Sequence, residues 1–140
     1  KKIRKVWPKY KILGARITGS DHLENGIKIG DAIKLSNDLK RIGFDYVSIS
    51  SGGIVPKTKM KQVEGFRINM AEKIKKNSNI LVTTSGKITK YSTFKNVINK
   101  NKLDFFTIAR PVIRNPQWIF ELAKKFKKNA TIPNQYKRII

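Results

Sequence analysis

The sequence predicts an α/β fold made of four consecutive β/α units with parallel strands. Three observations carry this. Apolar runs of strand length alternate four times with segments of helical spacing. Successive strand starts lie roughly 25 to 35 residues apart, the size of a βαβ unit. The strands are continuous apolar runs, as expected when helices cover a parallel sheet.

Residues 1–8 (KKIRKVWP) read as the end of a preceding helix. Residues 12–18 (ILGARIT) form the first strand, and a Gly- and Asp-containing loop follows over 19–26. Ile29, Ala32, Ile33, Leu35, Ser36 and Leu39 recur at helical spacing, and Gly43 stops that helix. Residues 45–50 (DYVSIS) are the second strand; 51–65 are a long loop with Gly52, Gly53 and Pro56. Phe66, Met70, Ala71 and Ile74 share one face of a helix over 66–76. The third strand is 80–84, and the third helix, 89–100, turns Phe94, Val97 and Ile98 inward. Residues 103–109 (LDFFTIA) are the fourth strand. Pro116 opens the fourth helix in its first turn, where a missing N–H is no loss, and that helix runs to about Lys127. The tail, 130–140, is expected to be irregular.

Four such units build either an open doubly wound sheet or half of a (β/α)8 barrel. The chain has 140 residues, against roughly 250 for a complete barrel. It opens at Lys1 without an initiator Met, so the expectation is a piece of something longer. It is read as one partial domain, 1–140, without a second domain. Half a barrel would leave two unpaired strand edges.

Composition removes several chemistries. Without cysteine there is no disulfide, thiolate metal site or Cys nucleophile. The single His22 cannot form a His-pair metal site and reads as a loop residue; no metal is expected. No apolar run approaches the roughly 20 residues of a membrane span, and no signal-peptide core is present. A cytoplasmic location is expected. The formal charge of +22 raises the question of nucleic acid. Yet the cations are 24 Lys against 7 Arg, spread along the chain, and Lys, Ile and Asn make up 55 residues. These types share A/T-rich codons, so coding bias explains the excess more simply than phosphate readout, which favours Arg interleaved with aromatics. Nonspecific polyanion binding at low salt is expected ahead of specific recognition.

In both architectures ligands gather at the C-terminal ends of the strands. Arg16 stands in an apolar run, where a charge needs a partner. It pairs internally with Asp21 or Asp45, or it faces an electron-rich ligand. Ser50-Ser51-Gly52-Gly53 ends the second strand with two glycines that let backbone approach a ligand. Ser85-Gly86-Lys87 follows the third strand and Ala109-Arg110-Pro111 the fourth. Exposed amides and one guanidinium suit a phosphate, and barrels often bind phosphate in the loops after strands seven and eight. A turn glycine and a solvated arginine are the plainer alternatives.

Six segments in order, VWPKYKILGARITGSD, GFDYVSISSGGIVP, GFRINMAEKIKK, SGKIT, FFTIARPVIRNPQW and IPNQYKR, resemble the C-terminal half of the old yellow enzyme family, nearest its xenobiotic-reductase-like branch of NADH:flavin oxidoreductases. The resemblance implies the last four β/α units of a (β/α)8 TIM barrel that binds FMN and reduces activated C=C bonds of α,β-unsaturated substrates with NAD(P)H. It implies that Arg16 sits beside the pyrimidine edge of the flavin and stabilises its anionic reduced form. It assigns the backbone amides of Gly86 and Lys87 to the FMN phosphate, with Ala109 and the Arg110 guanidinium completing that cradle. Ser51 and Gly52 border the flavin. Arg138 matches an arginine that in some relatives enters a neighbouring subunit's active site, which implies a homo-oligomer.

The chain departs from the family at three places: Lys87 replaces an apolar residue, Thr83 stands where glycine is usual, and the tail ends in Ile139-Ile140 without an aromatic. The family's substrate-carbonyl clamp and Tyr proton donor belong to the first half of the barrel, the expected partner. Tyr10, Tyr46, Tyr91 and Tyr136 do not match the donor's motif. The half is therefore expected to carry no catalytic residue and to be inactive alone. Two other functions stay open: an FMN barrel resembling tRNA dihydrouridine synthases, and a noncatalytic basic fragment that binds nucleic acid.

Overall fold

The computed structural model describes residues 2–53 and 62–137. Pro56, Arg138, Ile139 and Ile140 lie outside the described residues. The chain divides into two compact units, Lys1–Thr107 and Ile108–Ile140.

In the first unit α1 (Lys2–Val6), β1 (Gly14–Ser20), α2 (Ile29–Arg41), β2 (Tyr46–Ser51), α3 (Ile68–Lys76), β3 (Leu81–Thr84), α4 (Tyr91–Asn99) and β4 (Phe105–Phe106) follow one another. The strands are parallel and lie in the order β1-β2-β3-β4. The chain thus adopts the expected α/β class. Register shows why the apolar runs are needed. Val47 is opposite Val82 and Ile49 opposite Thr84, and all four are completely buried. Met70, Ala71 and Ile74 of α3 and Phe94 and Val97 of α4 complete this core, with the Phe94 ring 4.6 Å from that of Phe106. The alternate positions form the other face, where Arg16 is opposite Ser48, Ser48 opposite Thr83, and Thr83 opposite Phe105. That face is open: Leu81 is 51% and Phe105 37% exposed. Tyr46 leans over it. Its ring meets Phe105 edge-on at 5.1 Å and fills the space above Gly14, where a Cβ would fall 2.1 Å from ring carbons.

Two aspartates secure the N-terminal end of the sheet. Asp45 accepts the Leu13 amide on Oδ2 at 2.7 Å and returns its own amide to the Leu13 carbonyl at 2.8 Å. Asp104 repeats the device, accepting the Val82 amide at 2.7 Å and donating to the Val82 carbonyl at 3.0 Å. Lys75 neutralises Asp104 at 3.0 Å. Glu72 is held between Lys76 and Lys102, each at 2.7 Å. Hydrogen bonds from Lys102 and then Lys76 hold its carboxyl down to about 2.

Differences from expectation have local causes. The first strand runs Gly14–Ser20 rather than 12–18. Its ladder begins at Gly14 opposite Tyr46 and continues through an irregularity between Thr18 and Ser20; Ile12, left outside, is 74% exposed. Ser51 belongs to β2, not to the loop. The fourth strand shrinks to Phe105–Phe106 because it pairs only with β3, which ends at Thr84. Thr83 lies within β3, fully buried, its hydroxyl 2.9 Å from that of Thr107. Gly43 stops α2 as expected, at φ 93°.

The second unit contains α5 (Arg110–Arg114), α6 (Trp118–Lys125) and a 3-10 turn, Asn134–Tyr136. Where one helix is expected from Pro116, there are two. Pro111 starts the first. Pro116 ends it, because the residue before a proline is forced out of the helical region, and Asn115 is extended at φ −140°, ψ 98°. Asn115 then opens α6, accepting the Gln117 amide on its side chain at 2.9 Å and the Trp118 amide on its carbonyl at 3.0 Å.

Candidate functional site

The C-terminal ends of β2 and β3 meet around a residue that the motif reading passed over, Arg67. It precedes α3 as its N-cap. Its Nε donates to Ser51 Oγ at 2.9 Å, one terminal nitrogen to the Ser51 carbonyl at 3.2 Å, and the other to the Ser85 carbonyl at 3.3 Å. One guanidinium therefore ties the end of β2 to the end of β3. The planar fork of arginine allows this; a lysine ammonium has no such geometry. The Phe66 ring covers one side of the guanidinium, 4.5 Å from Cζ. Burial, and then the charge of Arg16, push the Arg67 pKa below the ordinary arginine value. The group stays protonated at physiological pH.

Arg16 projects from β1 on the open face and is exposed. The internal ion pair considered for it does not form among the described residues. Asp21 instead accepts the Ile27 amide at 2.9 Å, and Asp45 accepts Leu13 and lies 4.0 Å from Arg4.

Ser51 is buried, with carbonyl and hydroxyl both engaged by Arg67. Gly52 takes φ 59°, a left-handed conformation that glycine adopts without strain, and its amide donates to the Ser20 carbonyl at 3.0 Å. Gly86 is packed so closely that a Cβ would lie 3.3 Å from Phe66 Cε1 and 3.4 Å from the Arg67 Cβ and Cγ. Lys87 is left-handed at φ 54°. Its ammonium donates to the Gln62 carbonyl at 3.2 Å, and its own carbonyl accepts the Gly65 amide at 3.2 Å. The Gly86 and Lys87 amides donate to no acceptor among the described residues.

A second residue missed by the motif reading, Glu64, holds this turn from behind. Its carboxylate accepts the Thr89 amide at 2.7 Å, the Thr89 hydroxyl at 2.7 Å and the Lys90 amide at 3.0 Å. Burial opposes its ionisation, but the Lys90 and Thr89 hydrogen bonds outweigh that and hold its pKa below the ordinary value.

In the second unit Ala109 is the N-cap of α5, and its carbonyl accepts the Val112 and Ile113 amides, each at 3.1 Å. Arg110 is exposed in the first turn, whose amides lack intrahelical acceptors.

A signal for Arg67 was present in the sequence. In a chain whose composition drifts towards Lys, a retained Arg marks a place where a fork does something an ammonium does not. No comparable signal marks Glu64, because its partners lie 25 and 26 residues downstream.

Comparison with known proteins bears on what these strand ends hold. The chain is 29% identical over 136 residues to an NADPH dehydrogenase of Geobacillus sp. (strain WCH70), covering 97% of this chain and 39% of that protein. It is 30% identical over 126 residues to an NADPH dehydrogenase of Halalkalibacterium halodurans, covering 90% and 37%. It is 27% identical to one of Clostridium acetobutylicum, covering 97% and 40%. The chain thus spans about two-fifths of the length of these relatives. Among solved structures, a 2-naphthoyl-CoA reductase complexed with 2-naphthoyl-CoA superposes with a TM-score of 0.66 at 16% identity, over 79% of this chain and 17% of that one. A histamine dehydrogenase from Rhizobium sp. 4-9 gives 0.67 at 16% identity, over 81% and 17%. Both share the fold, matched over part of their length. The relatives imply FMN and NADPH as cofactors. The profile of one family matches residues 2–129, nearly the whole chain; with the segment order and the parallel sheet, this makes the chain a member of the NADH:flavin oxidoreductase / NADH oxidase family.

Proposed function

We propose that this chain forms the flavin-nucleotide side of an FMN-dependent NADPH oxidoreductase of the ene-reductase type. The observation that carries the proposal is the turn at Gly86 and Lys87. Two amides there have no acceptor among the described residues, at a strand end and beside a glycine whose Cβ would crowd Phe66 and Arg67. Such a backbone concavity suits a phosphate dianion. The residues present therefore fit FMN. When bound, FMN would supply hydride-transfer chemistry between NADPH and an activated C=C bond.

The chain's own residues bind and orient. The Gly86 and Lys87 amides donate to the phosphate. Arg16, on the open face without a protein counter-ion among the described residues, stabilises negative charge on the reduced flavin. Ser51 and Gly52 shape the border. Ala109 and Arg110 are each assigned to the phosphate as well. NADPH is favoured as donor because the relatives that match over almost the whole chain are NADPH dehydrogenases. The substrate clamp is assigned to the part of those relatives that this chain does not span.

Flavin absorbance near about 450 nm in the purified protein and saturable FMN binding are expected. Failure to bind FMN sinks the proposal. Arg110→Ala should weaken FMN binding by ~1–3 kcal/mol if its guanidinium meets phosphate. An unchanged dissociation constant removes Arg110 from the site.

A further inference from the structure

We propose that Arg67 is a further binding residue of this site, and that it forms with Arg16 a paired-cation seat which no carboxylate among the described residues neutralises and which the negative charge of the bound flavin nucleotide completes. The proposal rests on the flavin reading and adds a residue that reading does not contain.

A guanidinium has five N–H groups. Three of those on Arg67 are used on Ser51 and Ser85. One N–H on each terminal nitrogen is left, without an acceptor among the described residues. The three bonds that are made fix the direction of the other two, so the group is oriented before a ligand arrives. Preorganised donors of this kind lose little freedom on binding.

Among the described residues no carboxylate pairs with Arg16 or with Arg67, which unlike the many solvated lysines is half-buried. Glu64 is spent on Thr89 and Lys90, and Asp21 gives one carboxylate oxygen to the Ile27 amide; neither forms an ion pair with Arg16 or Arg67. Arg67 is half-buried, and Arg16 acts on it as a like charge. A half-buried guanidinium that is fixed on the neutral Ser51 and Ser85 and feels a like charge favours a bound anion. A chain selected only for stability gains nothing from that arrangement; an anion-binding site does.

The Arg67 side chain and the Phe66 ring line the Gly86 turn at contact distance, so the seat and the free amides belong to one site. Arg67 is then more than a tie between two strand ends, because a neutral side chain with matching donors would serve that purpose without the repulsion.

The test separates charge from structure. FMN dissociation constants are measured by flavin fluorescence across a range of salt concentrations for the wild-type protein and for Arg67→Gln, Arg67→Lys and Arg16→Gln, with circular dichroism as a check of folding. Arg67→Gln should weaken FMN binding about tenfold or more and flatten the salt dependence of the affinity. Arg67→Lys should also bind more weakly but keep the wild-type salt slope. Arg16→Gln should flatten the slope without lowering the thermal midpoint of the FMN-free protein. If Arg67→Gln fails to fold, the slopes of Arg67→Lys and Arg16→Gln decide. Wild-type affinity and slope in the Gln variants overturn the paired-cation seat and leave the flavin reading standing. A wild-type protein that binds no FMN overturns both.

Discussion

At the N-terminal end of the sheet, Asp45 and Asp104 each exchange two hydrogen bonds with the neighbouring strand, and Lys75 neutralises Asp104. At the C-terminal end, Arg67 ties Ser51 to Ser85, and among the described residues no carboxylate pairs with it or with Arg16 on the open face of β1. Charge is closed within the protein at one end and left open at the other. This is how a β/α sheet separates holding itself together from holding a ligand. The carboxylate acceptors at the closed end have their donors in place, so substitution there should register in stability. The open end has donors waiting, so substitution there should register in affinity.

The largest effect that breaks the comparison is expected at Asp104. Asp104→Ala leaves the Val82 amide without its acceptor and Lys75 without its partner. Urea denaturation should show a loss of ~1–3 kcal/mol, with FMN affinity unchanged. A fall in FMN affinity without loss of stability would mean that the two ends are not separate.

Glu64 lies between the two cases, since it is a carboxylate that supports the open end. Glu64→Gln removes the charge that three donors from Thr89 and Lys90 address. A stability loss of ~0.5–1.5 kcal/mol is expected, together with a rise of FMN dissociation constant by roughly threefold as the Gly86 turn loosens. Unaltered FMN binding would show that the turn keeps its shape without this support.

The smallest effect is the pH response of Glu72. Its folded-state pKa is about 2, held down by Lys102 and Lys76 against an ordinary value of 4.5. The unfolded chain binds the proton more readily. The stabilisation is therefore complete above pH 4.5 and is lost as pH falls towards 2. Glu72→Gln should flatten the stability curve in that window. A curve parallel to wild type would assign acid sensitivity to other carboxylates.

Much of this was legible beforehand for physical reasons that act locally. Val47, Ile49 and Val82 read as strand because a buried parallel sheet needs continuous apolar runs, and Gly43 read as a helix stop because its conformation suits glycine. Arg16 was legible as a lone charge in such a run, and Gly86 as a turn glycine. The extent of β4 was not legible, because a strand at the sheet margin takes its length from its neighbour. The break at Asn115 was legible in principle from Pro116, but Pro116 also fits a helix start, and the backbone resolves which role applies.

The sequence by itself determined the order of β/α units, the family and the two glycine-containing strand ends, since periodicity and turn chemistry are properties of neighbouring residues. Only the tertiary structure decided that Arg67 joins Ser51 to Ser85, that Glu64 supports the turn before α4, and that Asp45 does not neutralise Arg16. Each of these depends on which side chains the sheet and helices bring within about 3 Å of one another, the range over which hydrogen bonds form, and residues 16 or 25 positions apart carry no local mark of that meeting.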